Sequence, residues 1–276
     1  MGSEVPVAQV EAAMRDVCAD LIMPRFQQLE ENEIFEKGPG DLVTVADRES
    51  ELELAQRLRR IDPTAVVVGE EAVAADPDVL KLAGGPGRVW IIDPIDGTGS
   101  FVRGKPRFAV MVALVENGAT IGGWIWQPVD TVMYTATASG GAAINGNGIA
   151  IPSGGQESPD FSQMTGDVRT SFFDLSTKTD VENRISKARS RPNIRVNKGG
   201  ACGYVYPDLV SGRLDYAVFS RQYPWDHAPG SLILEQAGGA VRDLDGEKYD
   251  PTRTSFGLLA TARERDWESV YAQLFG

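Results

Sequence analysis

The sequence predicts an α/β protein, because continuous apolar runs typical of buried strands alternate with stretches of helical periodicity. Residues 89–92 read Val-Trp-Ile-Ile and residues 108–115 read FAVMVALV, and both runs have the composition of interior strands. Between Val7 and Leu21, apolar residues instead recur at gaps of three and four, which marks one face of a helix. Helices and strands are therefore both expected to contribute to the core.

The length and composition predict an ordinary globular chain. It has 276 residues, of which 42% are apolar and 24% charged, enough for one large domain or two closely packed halves. A stretch rich in Pro, Gly and Ser at residues 152–160 is typical of a linker. We expect residues 1–155 to form an N-terminal α+β half with most of the site, and residues 156–276 to form a C-terminal α/β half.

The charge and the cysteine content narrow the choice of partners and compartment. The net charge is −12, whereas a nucleic-acid surface needs a basic stripe, so no direct nucleic-acid contact is expected. No apolar run approaches the ~18 residues of a membrane span, and no basic region followed by an apolar leader is evident. The two cysteines, Cys18 and Cys202, make no disulfide framework and are interpreted as packing residues. We therefore expect a cytoplasmic protein.

Two carboxylates follow one predicted strand. Asp93 comes directly after the apolar run 89–92, Pro94 is expected to end the strand, and Asp96 lies three residues after Asp93. Two carboxylates held together repel unless a cation lies between them. Oxygen ligands without nearby Cys or His favour Mg²⁺, Mn²⁺ or Ca²⁺. The alternative is an Asx turn that caps a helix, with both aspartates solvated.

The segment before these carboxylates supplies further candidates. Residues 30–43 replace periodicity with charge and glycine, and within them Lys37-Gly38-Pro39-Gly40 predicts an exposed loop. Thr44-Val45-Ala46-Asp47 resembles a capping box at the start of a helix that extends to Arg60. Residues 66–68 predict a short strand. Glu70 follows it beside Gly69, where a carboxylate at a strand end can face a cleft.

The remaining elements complete the predicted α/β pattern. Asn117-Gly118 is a hairpin signal between strands at 108–115 and 120–126, and antiparallel sheet continues to residue 144. In the second half, strands are predicted at 164–169 and 214–219, and helices at 180–190, 200–211 and 264–274. A further helix begins near Trp225 and ends at Gly238-Gly239. Asp226 lies at its N-terminus, where the helix dipole favours negative charge, and a capping role alone would explain it.

Three motifs in this order resemble the inositol monophosphatase family of Mg²⁺-dependent, lithium-sensitive phosphatases. They are Gly69-Glu70-Glu71, the DPIDGTGSF stretch at 93–101, and Trp225-Asp226. The resemblance covers nearly the whole chain, with one departure at Ser100, where many members have Asn. It implies a layered αβαβα sandwich of mixed and antiparallel sheets, and a homodimer as the expected assembly.

The resemblance also implies a set of metal ligands. Glu70, Asp93 and the carbonyl of Ile95 would hold a first Mg²⁺. Asp93, Asp96 and Asp226 would hold a second, and the family uses two or three ions. The first cation would lower the pKa of a water that attacks phosphorus in line, and the second would stabilise the leaving alkoxide.

Further residues would act on the water and the substrate. By resemblance, Asp47 pairs with the Thr98 hydroxyl to position the water, although helix capping is the plain alternative for Asp47. The N–H groups of Gly97 and Thr98 would hold phosphate oxygens. Lys37 would lie near the metals, or be an ordinary loop lysine. The predicted substrate contacts are Gly200, Ala201 and Phe219.

The substrate is expected to be a small phosphorylated polyol or sugar. Inositol-selective relatives carry a glutamate seven residues before the ligand matching Asp226, and this chain has Phe219 there, which cannot accept hydrogen bonds from inositol hydroxyls. Fructose bisphosphate, histidinol phosphate and nucleotide 3′-phosphates are alternatives. Another is a regulatory protein-binding module with secondary phosphatase activity. His227, the single histidine, is either structural or a substrate contact.

Overall fold

Helices and sheets alternate through the fold in this computed structural model, which describes residues 4–38, 40–152, 158–187, 193–196, 200–253 and 257–276. Within these ranges the helices are α1 (Val7–Val17), α2 (Val45–Ile61), α3 (Glu70–Ala75), α4 (Thr98–Val102), α5 (Leu175–Lys187), α6 (Cys202–Val210), α7 (Pro224–Ala237) and α8 (Trp267–Leu274). The strands are β1 (Ile34–Gly38), β2 (Asp41–Thr44), β3 (Val66–Gly69), β4 (Arg88–Asp96), β5 (Ala109–Glu116), β6 (Ala119–Gln127), β7 (Val132–Thr137), β8 (Gly141–Ile144), β9 (Asn147–Ile149), β10 (Thr165–Val168), β11 (Asn193–Val196), β12 (Tyr216–Phe219), β13 (Ala240–Asp243) and β14 (Leu258–Thr261).

Two sheets organise these elements. The first has the order β3-β4-β5-β6-β7-β8-β9 and is antiparallel except for the parallel pair β3–β4. The second has the order β11-β10-β12-β14-β13 and is mixed, with β10 parallel to both β11 and β12. Antiparallel hairpins allow the first sheet to be built from one continuous stretch of chain.

The helices lie in layers around and between the sheets. Helices α1 and α2 cover the outer face of the first sheet, around Trp90 and Ile92. Helices α6 and α7 lie between the two sheets, where Met111 and Phe219 belong to one core. Helices α5 and α8 lie on the outer side of the second sheet. This arrangement confirms the predicted α/β class and the αβαβα layering.

The loop predicted at residues 37–40 is wrong in its first half, because Lys37 and Gly38 belong to β1 of the hairpin β1–β2, whereas Gly40 lies in a turn. Strand β1 pairs with β2 in antiparallel register, from Ile34 opposite Thr44 to Gly38 opposite Asp41. The hairpin strands are short and partly exposed, so they lack the apolar alternation that reveals a strand in sequence. Lys37 therefore lies on a strand rather than in a loop. Pro39 lies outside the described residues.

The sequence suggested that strand β4 ends at Pro94, but the strand extends beyond that residue. It continues to Asp96 through a β-bulge: Asp93 lies opposite Met111 and Asp96 opposite Ala109, so three steps on β4 match two on β5. Proline lacks the N–H that a regular ladder needs and is tolerated at bulges. The bulge also settles which way both carboxylates point.

The other boundaries agree closely with the sequence, with local differences. Helix α5 begins at Leu175, before the predicted residue 180, where the Asp174 carboxylate accepts backbone N–H bonds from Ser176 and Thr177. The predicted linker at 152–160 lies partly outside the described residues. Gly199, just before the predicted helix 200–211, lies outside them. Cys18 and Cys202 are both buried and free. None of the helices in the described ranges has the length and apolar character needed to cross a membrane.

Candidate active site

A cleft of about 400 Å³ opens between the two sheets. The ends of β3 and β4 contribute from the first sheet, and those of β10 and β12 contribute from the second. The N-terminal ends of α6 and α7 close it from between. Loops at the carboxyl ends of parallel strands are a common place for ligand sites. The lining residues include Glu70, Asp93, Asp96 and Asp226.

The bulge in β4 brings two carboxylates to one face of the sheet. Side chains three residues apart on a regular strand point to opposite faces. Because the bulge adds one residue, Asp93 and Asp96 instead share a face with Met111 and Ala109, their partners on β5. Both carboxylates are almost fully buried, at 2% and 6% exposure. The Ile95 N–H donates to Asp93 Oδ1 at 3.1 Å and restrains that carboxylate.

Glu70 is held in place by a residue that the sequence analysis missed. Glu51, on α2, accepts hydrogen bonds from the backbone N–H groups of Glu71 at 2.8 Å and Ala72 at 2.9 Å. These groups belong to the first turn of α3, which needs acceptors. A Cβ at Gly69 would overlap the Glu51 carboxyl group, so glycine is required there. The signal in the sequence that could have identified Glu51 was a charged residue on the buried face of α2.

Lys37 reaches from β1 to the same turn. Its Nζ lies 2.7 Å from Glu70 Oε1 and 2.8 Å from Glu71 Oε1. Burial alone would lower the pKa of Lys37, but attraction to Glu70 and Glu71 outweighs it and raises that pKa. The ammonium thus neutralises part of the acidic cluster at the predicted position of the first cation. The Glu71 side chain is 10% exposed in this ion pair.

Asp226 enters the cleft from the first turn of α7, whose N-cap is Tyr223. One ligand atom each from Asp96, Cys202 and Asp226 lies within 4.8 Å of the others. The Gly203 N–H donates to Asp96 Oδ2 at 2.5 Å, a close approach that a side chain at Gly203 would disturb. Cys202, interpreted from sequence as a packing residue, therefore also borders the carboxylates.

Mutual repulsion makes this cluster suited to a cation. Burial, followed by the charges of neighbouring carboxylates, raises the pKa of Asp93 and of Asp226 well above the ordinary aspartate value. Burial also raises the pKa of Asp96 to about 6, although hydrogen bonds from Gly203 and Cys202 oppose it. The atoms that could bind a metal ion are the carboxylate oxygens and the Ile95 carbonyl oxygen, and oxygen ligands suit Mg²⁺. Burial raises the pKa of Cys202 well above its usual value, so it remains a thiol and a poor ligand for a hard cation.

Asp47 and Thr98 meet beside this cluster. The Thr98 hydroxyl lies 3.0 Å from Asp47 Oδ1 and also 3.0 Å from the Ile95 carbonyl. Asp47 Oδ2 accepts from the N–H of Thr44 at 2.8 Å and from its hydroxyl at 2.5 Å. The predicted capping box is therefore present, and one carboxylate serves both the helix cap and the site. Burial raises the pKa of Asp47 to about 7.

The backbone between β4 and α4 forms the next wall. Gly97 has a φ of +90° and is the N-cap of α4, and it lines the cleft with Thr98 and Gly99. A Cβ at Gly97 would lie 3.0 Å from Ala201 Cβ. Ala201 is fully buried behind this turn and does not line the cleft, whereas Gly200 and Cys202 do. Ala201, predicted as a substrate contact, is therefore not part of the cleft lining.

The part of the cleft lining that the second sheet contributes is aromatic and basic. Phe219, 2% exposed, stacks on Tyr206 with ring centroids 5.4 Å apart. Arg169 Cζ lies 5.3 Å from the Phe219 ring centroid, and Arg221 Cζ lies 3.3 Å from that of Phe172. Tyr206 is not part of the cleft lining, whereas the other residues named here are: Arg169, Phe172, Phe219 and Arg221. The sequence analysis missed Arg169, although it ends the predicted strand 164–169.

His227 lines the cleft, but both of its ring nitrogens bind protein atoms. Nδ1 lies 3.0 Å from the Tyr206 hydroxyl, and Nε2 lies 2.8 Å from the Arg221 carbonyl. Since a carbonyl only accepts, Nε2 carries the hydrogen and Nδ1 accepts from Tyr206. Burial lowers the pKa of His227 to about 3. The arrangement favours the structural alternative for this residue.

Comparisons with known proteins agree with this geometry. A family model described as the inositol monophosphatase family matches residues 3–275. A Thermotoga maritima protein named fructose-1,6-bisphosphatase/inositol-1-monophosphatase is 32% identical over 219 residues, which is 79% of this chain and 78% of that protein. Nus factor SuhB of Pseudomonas aeruginosa is 28% identical over 245 residues, 87% of this chain and 86% of that one. The solved structure of a Thermotoga maritima IMPase has a TM-score of 0.76 at 27% identity, covering 97% of this chain and 95% of that chain.

The layered fold, the acidic cleft and these relatives define the protein as a phosphoric monoester hydrolase. The match over nearly its full length is more specific. The chain belongs to the inositol monophosphatase family.

Proposed function

We propose that this protein is a Mg²⁺-dependent phosphatase that hydrolyses a small phosphorylated polyol or sugar by direct attack of water. The observation that carries the proposal is the cluster of Glu70, Asp93, Asp96 and Asp226, in which Asp93 and Asp96 are buried and the other two are partly buried. Ionised carboxylates held close together with little access to water cost free energy unless cations compensate their charge. The cluster lies in a cleft with room for a small substrate.

The carboxylates divide into two sets of ligands. Glu70, Asp93 and the Ile95 carbonyl would hold one Mg²⁺, and Asp93, Asp96 and Asp226 another, with two or three ions in total. When bound, Mg²⁺ supplies an acidified water and electrostatic stabilisation of the leaving oxygen. Asp93 lies between the two sets, which makes it the residue whose loss harms both.

Asp47 and Thr98 orient the nucleophile. Thr98 Oγ1 lies between Asp47 Oδ1 and the Ile95 carbonyl, with one hydrogen to donate. Its lone pairs can then accept a hydrogen bond from water, while Asp47 fixes the rotamer. The backbone at Gly97 and Thr98 is the place for phosphate oxygens, since N–H groups at a helix start favour anions.

A covalent mechanism through Cys202 has less support. Burial keeps its thiol protonated, because the pKa is raised well above the usual value, and the thiolate is the nucleophilic form. Both ring nitrogens of His227 have protein partners. Direct attack by water needs neither residue.

The substrate is the less specific part of the proposal. Phe219 offers an apolar surface where an inositol-selective site offers a carboxylate, so inositol phosphate is disfavoured. The Thermotoga maritima relative carries both fructose-1,6-bisphosphatase and inositol-1-monophosphatase in its name. Fructose bisphosphate, histidinol phosphate and nucleotide 3′-phosphates remain alternative substrates.

A regulatory binding role is the second candidate, and the relative named Nus factor SuhB favours it. A protein that only bound partners would have no need of four clustered carboxylates lining one cleft. We therefore place catalysis first. A cytoplasmic homodimer, with no membrane partner and no direct nucleic-acid contact, completes the proposal.

The function is tested by measuring phosphate release with and without Mg²⁺ from four substrate types. They are inositol phosphate, fructose bisphosphate, histidinol phosphate and a nucleotide 3′-phosphate. Asp93→Asn should abolish Mg²⁺-dependent turnover, with a loss of at least ~100-fold. The matched control is Asp180→Asn, at an exposed position of α5, which should retain wild-type activity. A fully active Asp93→Asn would overturn the metal assignment. No release from any substrate would shift the choice to the regulatory role.

A further inference from the structure

The part of the cleft formed by the second sheet contains a guanidinium with an unused donor. Arg169 directly follows β10, and its backbone N–H donates to the Val218 carbonyl of β12 at 2.9 Å. Val168 lies opposite Val218 in the parallel register, so Arg169 and Phe219 extend the paired strands side by side. Both residues lie at the carboxyl ends of parallel strands, where ligands commonly bind.

The contacts of Arg169 fix its position but leave one nitrogen open. Nε lies 3.3 Å from Asp167 Oδ1, and Nη1 lies 3.5 Å from Cys202 Sγ. Nη2 is buried and has no hydrogen-bond partner within the part of the chain that the structure describes. A buried donor without a partner is destabilising unless a ligand completes it.

The residue next to this nitrogen is a glycine. A Cβ at Gly200 would lie 3.3 Å from Nη2, and Gly200 has a φ of +151°. A side chain at position 200 would therefore crowd Nη2, and glycine avoids this. Arg169, Gly200 and Phe219 all line the cleft. The aromatic ring of Phe219 restrains the guanidinium by a cation–π contact.

The distance to the reaction centre is short. Cys202 Sγ lies within 4.8 Å of a carboxylate oxygen of both Asp96 and Asp226 and 3.5 Å from Arg169 Nη1. One sulfur atom thus separates the guanidinium from the proposed metal ligands. A group bound at Nη2 would belong to the same small molecule as the scissile phosphate.

On the basis of the proposed phosphatase function, we infer that Arg169 recognises a second anionic group, a carboxylate or a phosphate, on the leaving alcohol of the substrate. A planar guanidinium with free donors suits both anions. A neutral polyol would bring no anion to Nη2, and Phe219 offers its hydroxyls no acceptor. Arg169 is then a specificity-determining residue.

Three substrates with one carbon skeleton test this inference. Glycerol 3-phosphate has a neutral leaving alcohol, 3-phosphoglycerate adds a carboxylate, and glycerol 1,3-bisphosphate adds a phosphate. Wild-type kcat/KM should favour at least one anionic compound over glycerol 3-phosphate by about 10-fold or more, as expected for a charge-assisted hydrogen bond. Whichever compound is favoured identifies the anion. The bisphosphate preference must exceed the twofold that its two equivalent phosphates would give.

Variants separate recognition from a merely structural role. In Arg169→Gln, kcat/KM for the favoured anionic compound should fall at least about 10-fold further than kcat/KM for glycerol 3-phosphate, so that the preference approaches unity. Arg169→Lys keeps the charge without the planar fork and should retain part of the preference, so it serves if the glutamine variant does not fold. Arg242→Gln removes an arginine that pairs with Glu264 outside the cleft and should leave the preference unchanged.

The outcomes distinguish a failure of the inference about Arg169 from a failure of the proposed phosphatase function. Equal kcat/KM for all three compounds, or turnover of other panel substrates without turnover of the anionic two, overturns the inference and leaves the phosphatase intact. An equal loss on all three compounds in Arg169→Gln also overturns it, because Arg169 would then only balance the carboxylates. No Mg²⁺-dependent release from any compound means that the phosphatase proposal has failed.

Discussion

The Thr98 hydroxyl lies 3.0 Å from Asp47 Oδ1, although the two residues are 51 positions apart in sequence. The other oxygen of Asp47 caps α2 through Thr44. The start of a helix and the proposed water site therefore share one carboxylate. Because the two oxygens have separate partners, their roles can be separated by mutation.

Thr98→Val should remove the water-orienting hydroxyl and leave the helix cap intact. We expect turnover to fall by ~100-fold or more, with a nearly unchanged melting temperature. Thr98→Ser restores the hydroxyl and should recover most of the activity. Thr44→Val is the complementary variant and should cost about 1 kcal/mol or more of stability, measured by denaturant unfolding. An active, stable Thr98→Val would exclude the hydroxyl from the reaction.

Glu51→Gln should weaken the support beneath Glu70. The carboxylate accepts two N–H bonds at the start of α3, whereas an amide has one acceptor oxygen and would turn its NH₂ towards one of those donors. We expect a loss of about 1–3 kcal/mol in the free energy of unfolding and weaker Mg²⁺ binding by calorimetry. Glu53→Gln, on the same helix in a partly exposed pair with Arg57, is the control. Unchanged Mg²⁺ affinity in Glu51→Gln would contradict the positioning role.

The metal-free protein should lose stability as the pH rises. Burial raises the pKa of Asp47 from 3.8 and of Glu51 from 4.5, both to about 7. Between these values the folded state binds more protons than the unfolded state, so the free energy of unfolding decreases with pH. We expect the melting temperature in a chelator to fall by at least about 5 °C from pH 5 to pH 8.

Mg²⁺ should reverse this trend, because cations bind the ionised carboxylates of the folded state. Asp93→Asn removes one repelling charge and should flatten the slope in chelator. A metal-free melting temperature that rises over the same interval would contradict the repulsion described here.

Lys37→Gln should tighten cation binding. The ammonium contacts Glu70 at 2.7 Å and occupies an oxygen that the first cation would use. Removing a neighbouring positive charge should tighten Mg²⁺ binding by ~10-fold, measured by titration calorimetry. Lys81→Gln, at an exposed pair with Asp78, should have no effect. Weaker binding in Lys37→Gln would mean that Lys37 orders Glu70 for the metal.

His227 should remain neutral throughout the physiological range. Burial lowers its pKa to about 3, and it is the single histidine of the chain, so its ring proton resonances can be followed without assignment. Their chemical shifts should stay constant from pH 5 to pH 8. A titration near pH 6.5 would mean that the ring is open to solvent or substrate.

Much of this site could be predicted from sequence because its carboxylates follow local signals. Asp93 follows an apolar run and Glu70 follows a short strand beside a glycine. The residues that were missed act through contacts distant in sequence. Arg169 depends on the pairing of β10 with β12, and Glu51 depends on the packing of α2 beneath α3. The hairpin β1–β2 was missed because its strands are short and lack alternation.

The bulge at Pro94 shifts the phase of the pleat along β4. Before it, Trp90 and Ile92 face the helices α1 and α2, and after it Ile95 faces the same way. With the same three-residue spacing on an unbulged strand, Asp96 would point into that apolar layer beside Ile92. One extra residue thus decides whether the second aspartate is a charge trapped in the core or a ligand at the mouth of the cleft.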